Sequence, residues 1–189
     1  MRAAWGVLIS GRGSNLAAIL ELREEIDVRV VFSSRADAEG RLKARRAGVR
    51  DALVPTVAGS KKTDWLKLDH ELCELGVTHV FLAGFMKVVP EVFIARWRGR
   101  ILNLHPSLLP AYAGLESIER AHKDRAPIGV SVHQVIEAVD AGEMVHQRQT
   151  LTGDESSLLS LAECEFLVHV DEQRMVKESI RRWSQNLAK

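Results

Sequence analysis

Cysteine is scarce in this chain, with only Cys73 and Cys164 among 189 residues. Two isolated cysteines give neither a disulfide framework nor a zinc-binding spacing. Both fall in stretches that read as helices, and a reducing cytoplasm is the expected setting. An excess of one charge is also missing: 26 Lys and Arg stand against 25 Asp and Glu, a net charge of +1. That leaves no basic field for nucleic acid. No apolar run approaches the ~20 residues of a membrane span. The start, Met1 to Ser10, is a short apolar run ending in a glycine-rich turn rather than a cleavage site. His70, His79, His122, His133, His146 and His169 fall at no metal-ligand spacing. No metal is therefore expected, and these six read as surface or packing residues. Internal repeats and low-complexity segments are absent as well.

What is present is an ordinary globular composition, 46% hydrophobic and 27% charged, in a chain long enough to bury one core. Strand-like and helix-like segments alternate. Strands are predicted at 3–9, 28–32, 51–54 and 77–82, and another carries Asn103 and His105. Helices are predicted at 16–24, 36–47, 61–75 and near 90–97. That order implies βαβ units and an α/β fold with a doubly wound, largely parallel sheet. The last part changes character. Residues 129–135 and 143–150 read as a strand pair, and 155–183 as a long helix, either continuous or interrupted, with a partial apolar face from Leu158, Leu161, Ala162, Glu165 and Phe166. One domain, 1–189, is expected, with halves at 1–100 and 101–189.

Four stretches carry chemistry. In Asn103-Leu104-His105-Pro106-Ser107-Leu108-Leu109-Pro110, Asn103 and His105 are two apart, so both side chains leave the same side of a strand. Pro106 cannot donate to a sheet ladder, which ends the strand there. An amide and a titratable ring then meet at a strand end, where open α/β sheets bind ligands. In Ser10-Gly11-Arg12-Gly13-Ser14-Asn15, between strand one and helix one, glycines let the backbone turn tightly beside free helix N–H groups, which suits a single phosphate. Ser14 or Asn15 could alternatively cap the helix. The stretch lacks a full GxGxxG and a Walker lysine, so it is neither a dinucleotide fingerprint nor a P-loop. Leu82 to Pro90 offers small residues, then Phe85, Met86 and two valines, which form either a flat apolar wall or core packing. In Val135 to Gly142, Asp140 precedes an Ala-Gly pair, as a turn-former does. Beside His105 it could orient or charge the imidazole.

Together these pieces resemble the folate-dependent formyltransferases. The matching stretches are VLISGRGSNL at 7–16, FLAGFMKVVP at 81–90, RILNLHPSLLP at 100–110 and GVSVHQVIEAVDAGEMVHQ at 129–147. The glycine-rich loop followed by Ser-Asn is similar to the branch that formylates glycinamide ribonucleotide in purine biosynthesis. The resemblance implies that Asn103, His105 and Asp140 form the catalytic trio. An amine attacks the formyl carbon of 10-formyltetrahydrofolate, and Asn103 and protonated His105 donate to the developing oxyanion, a contribution often worth ~3 kcal/mol per donor. Asp140 holds His105 charged and helps move a proton from the amine towards the leaving folate nitrogen. It further implies that Gly11, Arg12, Gly13, Ser14 and Asn15 surround the substrate phosphate. Met86, Lys87, Val88 and Val89, with Val135, Ile136, Glu137, Ala138, Val139 and Asp140, would hold the folate. On this resemblance residues 1–100 are the phosphate-binding half and 101–189 the catalytic and folate-binding half. The partners are small molecules, without nucleic acid, membrane or metal, and the chain is a monomer or a homodimer in the cytoplasm.

The chain departs from the family pattern on the amine side. Ala113-Gly114-Leu115-Glu116-Ser117-Ile118 places Glu116 and Ile118 where the family carries histidines. The stretch Cys164 to His169 shows no counterpart of a Glu-His pair in the family's C-terminal helix. Lys87 replaces a more usual Arg. A different small amine, hydrolysis of 10-formyltetrahydrofolate, and folate binding without turnover remain the alternatives. Hydrolysis is disfavoured because the chain begins directly at the first strand, and transfer to a charged tRNA because it has no length for a further domain.

Overall fold

The computed structural model describes residues 3–186. Contacts group the chain into two compact units, one running to Ile101 and including the end from Ser184, the other spanning Leu102–Trp183. The first unit alternates strand and helix: β1 (Ala4–Ile9), α1 (Ser14–Leu20), β2 (Asp27–Ser33), α2 (Glu39–Arg46), β3 (Arg50–Leu53), α3 (Trp65–Glu74), β4 (His79–Leu82) and α4 (Glu91–Arg96). β1 pairs in parallel with β2 and β4, and β2 with β3. Every residue of β1 is buried, which explains its unbroken apolar sequence: a strand covered on both faces needs no alternation. A Cβ on Gly6 would lie 2.7 Å from Leu72 Cδ2, so glycine there lets α3 pack close on the strand.

β5 (Ile101–His105) leads into the second unit, followed by α5 (Ser117–Lys123), β6 (Ile128–Gln134), β7 (Met144–Leu151), α6 (Gly153–Leu158) and α7 (Leu161–Asn186). β5–β6 and β6–β7 are antiparallel. The strand order is β3-β2-β1-β4-β5-β6-β7. The predicted α/β class, largely parallel sheet, C-terminal strand pair and long helix are all present. Among the described residues no helix is long and apolar enough to cross a membrane.

Several boundaries differ from the sequence reading, each for a local reason. α1 ends at Leu20 rather than 24, and the chain continues in tight turns such as Leu22 N–H to Ile19 O and Glu25 N–H to Leu22 O. α3 starts at Trp65 rather than 61, because Thr56 and Thr63 bridge across a turn and Asp64 caps the helix by accepting from Lys67 N–H. α5 was not recognised in the sequence. The final helix is two helices, each opened by a reciprocal cap: Thr152 with Glu155, and Ser160 with Glu163. This break resets the helical phase. α7 therefore buries Cys164, Val168, Met175, Val176 and Ile180, while the predicted Leu158 and Phe166 are exposed.

Candidate active site

β5 and β6 set the geometry. Their antiparallel register places Asn103 opposite His133 and His105 opposite Ser131, and directly opposed residues share one side of a sheet. Asp140 comes from the turn after β6. That turn folds back tightly, since Gln134 N–H bonds Glu143 O at 2.9 Å, and a Cβ on Gly142 would sit 1.8 Å from Gln134 O. Only glycine fits, and the turn brings the carboxylate back over the strands.

Four side chains converge there. Asp140 Oδ2 lies 3.4 Å from His105 Nδ1, and Asp140 Oδ1 lies 3.5 Å from His133 Nε2. Asn103 Nδ2 is 3.2 Å from His133 Nε2 and 3.5 Å from Asp140 Oδ1. Asp140 Oδ2 also accepts from Gly114 N–H at 2.9 Å. His105 Nε2 donates to Tyr112 O at 3.2 Å. A carbonyl only accepts, so this nitrogen carries the hydrogen, and a protonated ring donates through both nitrogens at once. By the same argument His133 Nδ1 donates to Gln134 O at 2.8 Å. The His133 hydrogen bond, followed by the Gly114 N–H and the charges of both imidazoles, outweighs burial and lowers the Asp140 carboxyl to about 2. Asp140 is thus a fixed negative charge at neutral pH.

The loop that follows β5 is braced rather than free. Ser131 Oγ donates to Ser107 O at 2.6 Å and accepts from Leu109 N–H, while Gln147 Nε2 donates to Leu109 O and Ser131 Oγ. Ser117 Oγ donates to Pro106 O at 2.9 Å.

In the first unit, the glycine-rich loop and the segment after β4 meet. Ser10 N–H bonds Gly84 O at 3.1 Å, and Met86 N–H bonds Ser10 Oγ at 2.8 Å. Gly13, with φ of 70°, occupies the N-cap of α1 without a side-chain cap, so neither Ser14 nor Asn15 plays the capping part that the sequence allowed. A Cβ on Gly13 would meet Gly40 Cα at 2.7 Å. Lys43 Nζ donates to Gly13 O at 3.3 Å. Arg12 is exposed and Asn15 buried. Met86 and Val88 are 71% and 83% exposed, which makes this segment surface rather than core.

A family model described as formyl transferase matches residues 3–164. The chain belongs to the formyl transferase family. It is 39% identical over 150 residues to phosphoribosylglycinamide formyltransferase of Escherichia coli, a match covering 75% of this chain and 69% of that protein. The enzyme of the same name from Haemophilus influenzae is 38% identical over 159 residues, covering 80% of this chain and 74% of that one. Among solved structures, glycinamide ribonucleotide transformylase 1 of Symbiobacterium toebii superposes with a TM-score of 0.87 at 37% identity, covering 98% of this chain and 89% of that chain.

For this formyl transferase, the structure brings Asn103, His105 and Asp140 together and adds His133, which the sequence reading left among packing residues. His133 is 2% exposed and touches two of the three. The signal was available in part, since alternation along Gly129 to Gln134 puts Ser131 and His133 on one side. Which neighbour they face depends on register. Lys43 and Gly40 were likewise missed, because they approach the glycine loop from α2. On the amine side, Glu116 is exposed with φ of 55°, Ile118 is buried, and His169 Nδ1 bonds Glu172 Oε2 at 3.0 Å one turn along α7. Among the described residues, no group of three or more His, Cys, Asp or Glu is arranged to hold a metal ion.

Proposed function

We propose that this formyltransferase moves the formyl group of 10-formyltetrahydrofolate onto the primary amine of glycinamide ribonucleotide, a step of purine biosynthesis. The observation that carries the reading is the convergence of Asn103, His105 and Asp140 in a chain similar over three-quarters of its length or more to enzymes named phosphoribosylglycinamide formyltransferase. The folate, when bound, supplies the activated formyl group. Met86 to Val89 and Val135 to Asp140 are each assigned to folate contact, and Met86, Val88 and Val139 among them are exposed. Gly11 to Asn15 are assigned to the substrate phosphate, which backbone N–H groups can approach because the loop carries no bulky side chain at Gly11 and Gly13.

In the reaction, Asn103 and protonated His105 donate to the formyl oxygen as negative charge gathers on it, His105 through Nδ1–H, which exchanges its long 3.4 Å contact with Asp140 for the substrate oxygen while Nε2 stays on Tyr112 O. Asn103 can release its long 3.5 Å contact with Asp140 for this, keeping His133 as anchor. Asp140, ionised at neutral pH, balances the imidazolium and helps route the proton that the attacking amine loses to the departing folate nitrogen. Nothing in these roles calls for a metal.

The test is steady-state formyl transfer from a 10-formylfolate donor to glycinamide ribonucleotide, beside a control without amine. Turnover that requires the amine and disappears in His105→Ala supports the reading. Formate release without amine would replace it with hydrolysis. Folate binding with no turnover would instead point to another acceptor amine, as the changes at Glu116 and Ile118 allow, or to a binding protein.

A further inference from the structure

Between the trio and α5 lies a loop with unusual backbone geometry. Tyr112, Gly114 and Glu116 have φ of 54°, 83° and 55°, so alternate residues turn into the left-handed region, two of them without being glycine. Such conformations persist only where the surroundings over-determine them. Here the surroundings are largely one side chain. Arg120 Nη2 donates to Tyr112 O at 3.0 Å and to Ala113 O at 2.6 Å, and Arg120 Nε donates to Leu115 O at 3.1 Å. The guanidinium also lies 5.7 Å from the centre of the Tyr112 ring, whose hydroxyl donates to Asp124 Oδ2 at 3.0 Å.

Of the four residues 112–115, Arg120 takes the carbonyls of three. The fourth, Gly114, turns its N–H to Asp140 instead. The Tyr112 carbonyl, moreover, is shared: one lone pair accepts from Arg120 Nη2, the other from His105 Nε2 at 3.2 Å. Two of the contacts that orient the trio therefore pass through a loop that one guanidinium holds.

We propose that Arg120 is a positioning residue for the reaction. By clamping residues 112–115 it fixes the Gly114 N–H on Asp140 and the Tyr112 carbonyl on His105. It does so without touching the reacting atoms. A planar fork suits this because Nε and Nη2 diverge from one rigid edge to separate carbonyls, whereas a lysine offers a single nitrogen. The charged and titratable groups facing His105 are Asp140 from the β6–β7 turn, His133 beyond it on β6, and Arg120 from α5 through the shared carbonyl. The effect on rate rests on the formyl-transfer reading; the effect on the loop does not.

The experiment compares the full-length chain with Arg120→Ala and Arg120→Lys by steady-state kinetics, by the pH profile of kcat/KM, and by hydrogen exchange at the Gly114 amide. Loss of the clamp should lower kcat by on the order of 10²-fold, the scale of a small misplacement of catalytic groups, with KM for both substrates changed much less. Lysine should not restore it, and added guanidinium should partly rescue the alanine variant. The acid limb should move to higher pH, because Asp140 loses the N–H that helps keep it ionised, and Gly114 exchange should quicken. Unchanged kcat, or unchanged Gly114 exchange, overturns the proposal. So does a loss of activity that guanidinium does not rescue and that leaves the pH profile in place, which marks a structural role only. If the alanine variant does not fold, Arg120→Gln carries the same comparison. A wild-type chain that turns nothing over while Gly114 exchange still quickens in the variant sinks the formyl-transfer reading and leaves the clamp standing.

Discussion

Replacing Asp140 with asparagine changes one atom and one charge at the centre of the site. The carboxyl sits at about 2 against an ordinary 3.8, with its side chain 10% exposed. A displacement of that size corresponds to about 2 kcal/mol of stability that the charged form contributes near neutral pH. Its direction sets the pH dependence. The folded carboxyl binds its proton less readily than the unfolded one, so the contribution is fully present above about pH 4 and is lost as pH falls through about 2. Asparagine cannot recover it, because Oδ2 must accept from Gly114 N–H while Oδ1 faces the Asn103 amide; whichever atom becomes the NH2 group, a donor meets a donor. Urea unfolding should therefore show Asp140→Asn less stable by about 2 kcal/mol near pH 7, with the gap narrowing steadily below about pH 4. In formyl-transfer assays kcat should fall by on the order of 10²- to 10⁴-fold, the range of a lost general acid–base group. A stability gap that is absent near neutrality, or as large in acid as at neutrality, would refute the charge pairing. A kcat within a few-fold of wild type would refute the catalytic placement.

His133→Asn keeps a donor for the Gln134 carbonyl but removes the Nε2 that meets Asn103 and Asp140. We expect kcat to drop by roughly 10-fold or more while KM holds, as for a group that orients others; unchanged kcat would return His133 to packing. Gly13→Ala puts a Cβ 2.7 Å from Gly40 Cα at a φ of 70°, costing ~1–2 kcal/mol for the left-handed backbone plus the displacement of α2. In Gly11→Ala the new Cβ meets nothing within 4 Å, so its denaturation midpoint should match wild type, and equal losses in the two variants would contradict the packing. Burial, with the charge of Arg100, lowers His79 to about 4 from 6.5. The unfolded chain then binds a proton in that window that the folded chain refuses, and stability should decline as pH falls from about 6.5 to about 4. Melting curves of His79→Phe should show a shallower slope there; parallel slopes would assign the pH dependence elsewhere.

Local patterns in the chain determined a good deal. The unbroken apolar run at β1, the two-residue spacing of Asn103 and His105, and the alternation along β6 are written in neighbouring residues, and periodicities of 2 and 3.6 follow from backbone geometry alone. They sufficed for the α/β class, the late change to an antiparallel pair, and the side of β5 from which the amide and imidazole leave. The capping pairs Thr152–Glu155 and Ser160–Glu163 were equally local, and reading them would have split the last helix correctly. Other features depended on tertiary structure. The meeting of His133 with Asn103 follows from the register of β5 on β6, and a strand's own residues do not specify which partner residue stands opposite. The return of Asp140 over the strands depends on Gly142 packing against Gln134. The hold of Arg120 on residues 112–115 depends on the left-handed backbone at Tyr112 and Glu116, which tyrosine and glutamate seldom adopt by local preference. Local sequence supplied the chemical groups, and long-range packing decided which of them share a carboxylate.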